Sequence, residues 1–234
     1  MKFGVDGCSG GWCCCSSYNN SLVFYILKDV KFIFQEFPKI NYLFIDIPIG
    51  LSDYGFKRLV DAKLRDILPP NRKSSVFNAP SRPSIYSDSY NDAKQAELKL
   101  HGKSISIQSW NISKKIKELD QFFYENPQVI YKLRESHPEF CFYKLNNNIP
   151  LQFSKKMSIG IEERLSILKN FVSDVEDSFN KFYNKNKYTG LKKDDVIDSI
   201  ALYVCADKWE KNGGRSISQL PPKDLRGIPC KIYY

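Results

Sequence analysis

Residues 1–17 read MKFGVDGCSGGWCCCSS, and this stretch decides the fold. Residues 2–7 predict a strand, Gly10-Gly11 predicts a turn, and residues 12–17 predict the returning strand. Asp6 stands near the end of the first strand, directly before a glycine. Because an ionised carboxylate is costly to bury without a cation or hydrogen bonds, we expect Asp6 to have partners elsewhere in the chain.

A second aspartate ends another apolar run. Residues 22–27 predict a third strand, a short helix follows Asp29, and residues 42–47, YLFIDI, predict a strand that is buried on both faces. The helical crossover allows this strand to lie parallel to the first. Asp6 and Asp46 would then meet at one edge of the sheet, where open α/β sheets bind their ligands.

The rest of the chain predicts a helical insertion followed by the end of the same domain. Residues 51–127 carry three helical patterns, over 54–68, 90–101 and 107–124, and so long a section between strands is typical of a lid or substrate platform. Residues 129–135 return to strand character and end at Glu135. A helix over 194–206 and a short strand over 227–234 complete a single domain, 1–234.

The helix over 194–206 carries more acid than its start requires. Asp194 and Asp195 suit the first turn, where they can cap the helix and complement its dipole. Asp198 lies too far into the helix for that role and falls at the border of its apolar stripe. Asp195 is one turn earlier on the same side.

Each of the other carboxylates also has a structural alternative. Asp6 and Asp46 can bond backbone amides in the following turns. Glu135 can be a solvated strand end, and Glu139 suits the start of a helix after Pro138.

Several carboxylates in one place repel each other and take up protons unless a cation neutralises them. Mg²⁺ and Mn²⁺ prefer oxygen ligands, and a pair of such ions can activate water and stabilise the leaving oxygen of a phosphodiester. We therefore expect Asp6, Asp46 and Asp198 to bind Mg²⁺ or Mn²⁺, and Asp195 or Glu135 to complete the site and orient water.

Composition and charge limit the classes of ligand and partner that the protein is expected to bind. The net charge is +9, which favours nucleic acid or a phosphorylated ligand. Arg72, Arg82 and Lys156 are candidates to neutralise phosphates, although solvated surface charge is the alternative for each. Seven cysteines without a CxxC pair, with only two histidines, argue against a zinc site. The chain has no run of 18 apolar residues and no signal-peptide pattern, so we expect a cytoplasmic protein without a membrane span.

An ordered set of motifs resembles one family over nearly the whole chain. The set begins with Gly4-Val-Asp6-Gly-Cys-Ser-Gly-Gly-Trp12 and Ile45-Asp46-Ile-Pro-Ile-Gly-Leu51. It continues with Arg58, Asp61 and Arg65, Ser75-Val-Phe77, Pro80, Arg82, Gln108-Ser-Trp110, Glu135-Ser-His-Pro-Glu139, Lys155-Lys156, Gly160, Arg164 and Asp194-Asp195-Val-Ile-Asp198-Ser-Ile-Ala201. This pattern resembles the domain of unknown function 429 family, the predicted ribonuclease H-like nucleases.

The resemblance implies an α/β ribonuclease H-like fold: a five-stranded mixed sheet with helices on both faces and the helical insertion between strands 4 and 5. It implies acidic site residues at positions 6, 46, 195 and 198, with Glu135 as an extra. The expected activity is metal-dependent hydrolysis of nucleic acid. Two alternatives stay open: an actin-like nucleotide-binding phosphotransferase, which the absence of an internal repeat disfavours, and a non-catalytic nucleic-acid-binding module. The oligomeric state is open.

Overall fold

The computed structural model describes all 234 residues, which form seven strands and ten α-helices. The strands are β1 (Lys2–Cys8), β2 (Gly11–Tyr18), β3 (Ser21–Leu27), β4 (Tyr42–Ile45), β5 (Leu133–Glu135), β6 (Ser216–Lys223) and β7 (Pro229–Tyr233). The helices are α1 (Val30–Glu36), α2 (Val60–Ile67), α3 (Arg82–Ile85), α4 (Tyr90–His101), α5 (Ile107–Asn111), α6 (Ser113–Glu125), α7 (Pro138–Leu145), α8 (Ser158–Lys169), α9 (Val175–Asn186) and α10 (Lys193–Trp209). Short 3₁₀ helices cover Pro70–Ser75, Pro127–Val129 and Lys187–Thr189.

Five strands form one mixed sheet in the order β3-β2-β1-β4-β5. β1, β2 and β3 are antiparallel neighbours, whereas β4 is parallel to both β1 and β5. This arrangement confirms the predicted α/β class and the five-stranded mixed sheet. The apolar run that ends at Asp46 becomes the buried strand β4, between two parallel partners.

Helix α10 packs directly on the centre of this sheet. Its apolar residues between Val196 and Ala206 are buried with Cys13, Cys15 and Phe44 in one apolar cluster. A Cβ atom on Gly4 would overlap the backbone of Ser199 and Tyr203, so only glycine allows this close contact between β1 and α10. The helix has 17 residues, and no helix of the structure is long and apolar enough to cross a bilayer.

Contacts divide the chain into two compact units. The first comprises residues 1–46, 131–215 and 233–234, which include the five-stranded sheet and α7 to α10. The second comprises residues 47–130 and 216–232, with helices α2 to α6 and the two-stranded sheet of β6 and β7. The second unit thus takes in the segment over 51–127 for which the sequence predicts a helical insertion.

Several element boundaries differ from the sequence prediction for local reasons. The helix expected over 54–68 begins only at Val60, because Asp53 and Phe56 bond each other's backbones around Gly55, which has a φ of 84°. The helix expected over 107–124 is interrupted at Ile112. The strand expected over 129–135 is shortened to three residues, because a 3₁₀ helix precedes it. The sequence does not predict β6, because the two prolines in this segment disfavour a strand.

Candidate active site

The two central strands bring Asp6 and Asp46 to one edge of the sheet. Val5 and Ile45 are in register, and the backbone N–H of Asp46 donates to the carbonyl of Val5 at 3.0 Å. The following residues therefore point to the same face, which is the face that Gly4 presents to α10. Asp6 is buried, and its Oδ1 accepts from the N–H of Gly7 at 2.8 Å.

Helix α10 adds Asp198 to this face. Asp198 is 1% exposed, and its Oδ2 accepts a hydrogen bond from Lys155 Nζ at 2.6 Å. Its Oδ1 is buried and has no hydrogen-bond partner. A buried carboxylate oxygen without a donor is unusual in a folded protein and indicates a site for a cation or water.

Asp195 has a local structural role. Its Oδ2 accepts from the N–H of Lys192 at 3.0 Å, in a capping box at the start of α10. The alternative interpretation of this residue, as a helix-start carboxylate, therefore describes its bonding. It still acts electrostatically on Asp6.

Lys155 supplies the positive charge of the site. Its Nζ lies 3.6 Å from Asp194 Oδ2 as well as bonding Asp198. The loop that carries it is fixed at Gly160, where a Cβ atom would overlap the carbonyl of Ser154. The sequence prediction chose the neighbouring Lys156, which the structure places in the exposed part of the same loop.

Arg164 and Glu139 form a buried ion pair beside the site. Arg164 Nη2 donates to Glu139 Oε1 at 2.6 Å, and Nη1 donates to the carbonyls of Phe153 and Gly160. Arg164 therefore ties the Lys155 loop to the start of α7. Glu139 lies in the first turn of α7, as predicted, and its charge also acts on Asp46 and Asp198.

The carboxylates raise one another's affinity for protons. Burial, followed by the charges of Asp46 and Asp198, raises the pKa of Asp6 well above its usual value. Burial also raises the pKa of Asp46, while His137 and Lys155 oppose that shift. Burial raises the pKa of Asp198 to about 7 even though Lys155 lowers it. The site therefore has more carboxyl groups than its one lysine can neutralise, and without a further cation they tend to hold protons.

Glu135 lies on the opposite face of the sheet. It is in register with Ile45, so it points to the same side as Ile45 and away from the side of Asp46. The structure does not bring it together with Asp6, Asp46 and Asp198.

The two arginines predicted to bind phosphate belong to the second unit. Arg82 is buried and bonds Asp53, Asp120 and Asp224, with its shortest contact at 2.6 Å. A substrate phosphate would have to displace one of these carboxylates to reach it. Arg72 lies in the 3₁₀ helix Pro70–Ser75, where its carbonyl accepts from Ser75 Oγ.

The donor chemistry of the first unit's site fits a hard divalent cation. Asp6, Asp46 and Asp198 offer only oxygen atoms, which Mg²⁺ and Mn²⁺ prefer as ligands. Oδ1 of Asp198 accepts no hydrogen bond and is therefore available to a metal ion. No group of three or more His, Cys, Asp or Glu side chains in the structure is already gathered closely enough to hold a metal ion.

Fold and site together define an α/β protein with a cluster of acidic residues at the carboxyl ends of two parallel central strands. The chain belongs to the family described as Protein of unknown function (DUF429), whose model matches residues 4–225. No curated protein and no solved structure matches the chain.

Proposed function

We propose that this protein is a ribonuclease H-like, metal-dependent nuclease that hydrolyses phosphodiester bonds of nucleic acid. One observation carries the proposal: Asp6, Asp46 and Asp198 converge from three distant parts of the chain, and a buried oxygen of Asp198 lacks a donor. The strand order supports the fold, since three antiparallel strands are followed by two parallel ones, as in the ribonuclease H-like arrangement that the motifs resemble.

Asp6, Asp46 and Asp198 would hold the Mg²⁺ or Mn²⁺. When bound, the metal would activate water and stabilise the leaving oxygen. The three carboxylates are themselves arranged so that they favour a bound cation. Burial raises the pKa values of these carboxylates, so a cation is favoured wherever they are ionised.

Lys155 and Arg164 are positioning residues: they hold the acidic cluster in place and would not bind the metal. Lys155 holds Asp198 through Oδ2, which leaves Oδ1 without a hydrogen bond. Arg164 fixes Glu139 and the Lys155 loop in one network. The overall charge of +9 favours approach of a polyanionic substrate despite the local acidity.

The test is a nuclease assay with Mn²⁺ on single- and double-stranded DNA and RNA. We expect cleavage by the wild type and losses of at least ~100-fold in Asp6→Asn, Asp46→Asn and Asp198→Asn, the scale of lost transition-state charge stabilisation. Glu36→Gln, at an exposed position on α1, is the matched control and should keep full activity. Equal cleavage by the wild type and all three asparagine variants would overturn the nuclease proposal.

One observation favours a second candidate, a non-catalytic nucleic-acid-binding module. Lys155 Nζ lies 2.6 Å from Asp198 Oδ2. If this lysine stays there permanently, its charge takes the place of a metal ion. That protein would bind oligonucleotides tightly, with affinity falling steeply as salt rises, and would not cleave them with any divalent ion.

A further inference from the structure

A polar cavity lies in the first unit, at the other end of α10 from the acidic cluster. Its volume is about 450 Å³, and its lining includes Lys144, Lys208, Arg215, Phe171 and Tyr234. Ten residues of helix separate Asp198 from Lys208, which corresponds to ~15 Å along the axis. The cavity is therefore separate from the site of the proposed nuclease.

The cations of this cavity have no acidic partners. No aspartate or glutamate lines it, and no ion pair within 4.0 Å involves Lys144, Lys208 or Arg215. Lys144 Nζ donates to Asn148 Oδ1 at 2.8 Å, and Lys208 Nζ lies 4.5 Å from the centre of the Phe171 ring. Three other cations of this unit, Lys2, Lys155 and Arg164, are each paired with a carboxylate.

The positive charges also act on one another. Burial lowers the pKa of Lys144, and the charge of Arg215 lowers it further. An anion bound between Lys144 and Arg215 would be attracted by both charges.

Neutral donors and an aromatic wall complete the cavity. Asn147 and Asn148 follow α7 in left-handed conformations, with φ of 53° and 63°, and both line the cavity together with Asn212. Because Asn148 Oδ1 accepts from Lys144, its Nδ2 remains as a donor. Phe171 and Tyr234 provide flat apolar surface on which a planar ring can stack.

We infer that this basic cavity binds a phosphomonoester of nucleotide size, with the phosphate among Lys144, Lys208 and Arg215 and the organic part against Phe171 and Tyr234. A phosphomonoester carries nearly two negative charges and three acceptor oxygens, which matches several converging cations and amides better than a carboxylate does. A cavity of this volume lies within the range that encloses small-molecule ligands.

The experiment is calorimetric titration of the full chain, without divalent metal and at constant ionic strength. The probes are inorganic phosphate, adenosine monophosphate and adenosine. We expect saturable binding of the nucleotide, binding of phosphate that is at least tenfold weaker, and no binding of adenosine. Absence of saturable binding by the nucleotide would overturn the proposal, and adenosine binding as tight as that of the nucleotide would also overturn it.

Variants locate the binding. Lys144→Met combined with Arg215→Gln should weaken nucleotide affinity at least tenfold, whereas Lys28→Met with Lys31→Gln removes the same charge from exposed positions and should change it less than twofold. Equal losses in the two pairs would mean non-specific charge and would overturn the site. Arg215→Gln alone, at an exposed side chain, keeps the test valid if the double variant does not fold.

A further measurement separates this inference from the proposed nuclease function. Asp46→Asn, which should lower nuclease activity at least ~100-fold, should leave nucleotide affinity unchanged, so either proposal can fail alone. A tenfold loss of nucleotide affinity in Asp46→Asn would place the nucleotide at the acidic cluster and would overturn the inference.

Discussion

Lys155 Nζ lies 2.6 Å from Asp198 Oδ2, in an acidic cluster that also contains Asp6 and Asp46. One ammonium group thus faces three buried or half-buried carboxylates. The competition between this lysine and an added cation determines how strongly the acidic cluster depends on metal for its stability. It can be tested without any assay of activity.

Lys155→Met should make the protein depend on divalent metal for stability. With a chelator present, we expect the free energy of unfolding to fall by ~1–3 kcal/mol, because Asp198 loses its charge-assisted hydrogen bond. Mn²⁺ should then raise the thermal midpoint of the variant more than that of the wild type. Lys156→Met, at the exposed neighbouring position, is the control and should behave like the wild type. Identical metal responses in all three chains would contradict this expectation.

Stability without metal should fall as pH rises from 5 to 8. The pKa of Asp198 is raised by burial to about 7, and burial also raises the pKa of Asp6. Since the unfolded values lie near 3.9, the folded state binds more protons in this window, and the free energy of unfolding decreases with increasing pH. Thermal unfolding in chelator at several pH values measures the slope, which should become smaller in Asp198→Asn. A slope that is unchanged in this variant would assign the pH dependence to other groups.

Gly4→Ala should severely destabilise the first unit. The new Cβ would overlap the backbone of Ser199 and Tyr203 in α10, and backbone atoms cannot move aside as side-chain ends do. Overpacking of this kind costs ~1–3 kcal/mol or more, measured as a lower midpoint in urea. Gly10→Ala is the control, because its Cβ would approach only the Ile26 side chain, at 3.3 Å. If both substitutions had the same small effect, the close packing of β1 on α10 would be refuted.

Arg164→Met should cost ~3–5 kcal/mol, the range found when one partner of a buried ion pair is removed. The change leaves the buried Glu139 carboxylate with one ion pair fewer and releases the carbonyls of Phe153 and Gly160. Lys169→Met breaks an exposed pair with Glu176 and should cost less than ~1 kcal/mol in the same urea titration. Comparable losses for the two substitutions would show that Arg164 contributes only as surface charge.

The sheet and the meeting of Asp6 with Asp46 could be predicted because their causes are local. An apolar run long enough for a buried strand, a helical crossover, and an aspartate near each strand's end fix the register and the edge. Asp198 could be predicted for a similar reason, since helical periodicity alone places it beside the apolar stripe.

The remaining members of the site depend on tertiary contacts that no local pattern encodes. Lys155 and Lys156 are adjacent lysines, and only the folding of the loop around Gly160 decides which one reaches Asp198. Glu139 fits a helix start so well that its second role is hidden. Arg164 is buried in α8 and needs an acidic partner, which is Glu139, but its burial is known only from the structure.

Glu135 and Arg82 illustrate the opposite difficulty. Glu135 ends a strand as Asp46 follows one, but a one-residue offset in register turns it to the other face. Arg82 resembles a free loop cation in the sequence, yet Asp53, Asp120 and Asp224 surround it in the structure. Sequence spacing alone does not give the side of a sheet or the partners of a buried guanidinium.

The main-chain packing of Gly4 on α10 matters for experiments that replace the acidic residues beside it. The distance between strand and helix is held by backbone atoms, so replacing Asp6 or Asp198 by asparagine removes charge while the walls around it keep their spacing. Differences between those variants and the native chain will therefore report on the charge of the cluster and not on a change in its backbone frame.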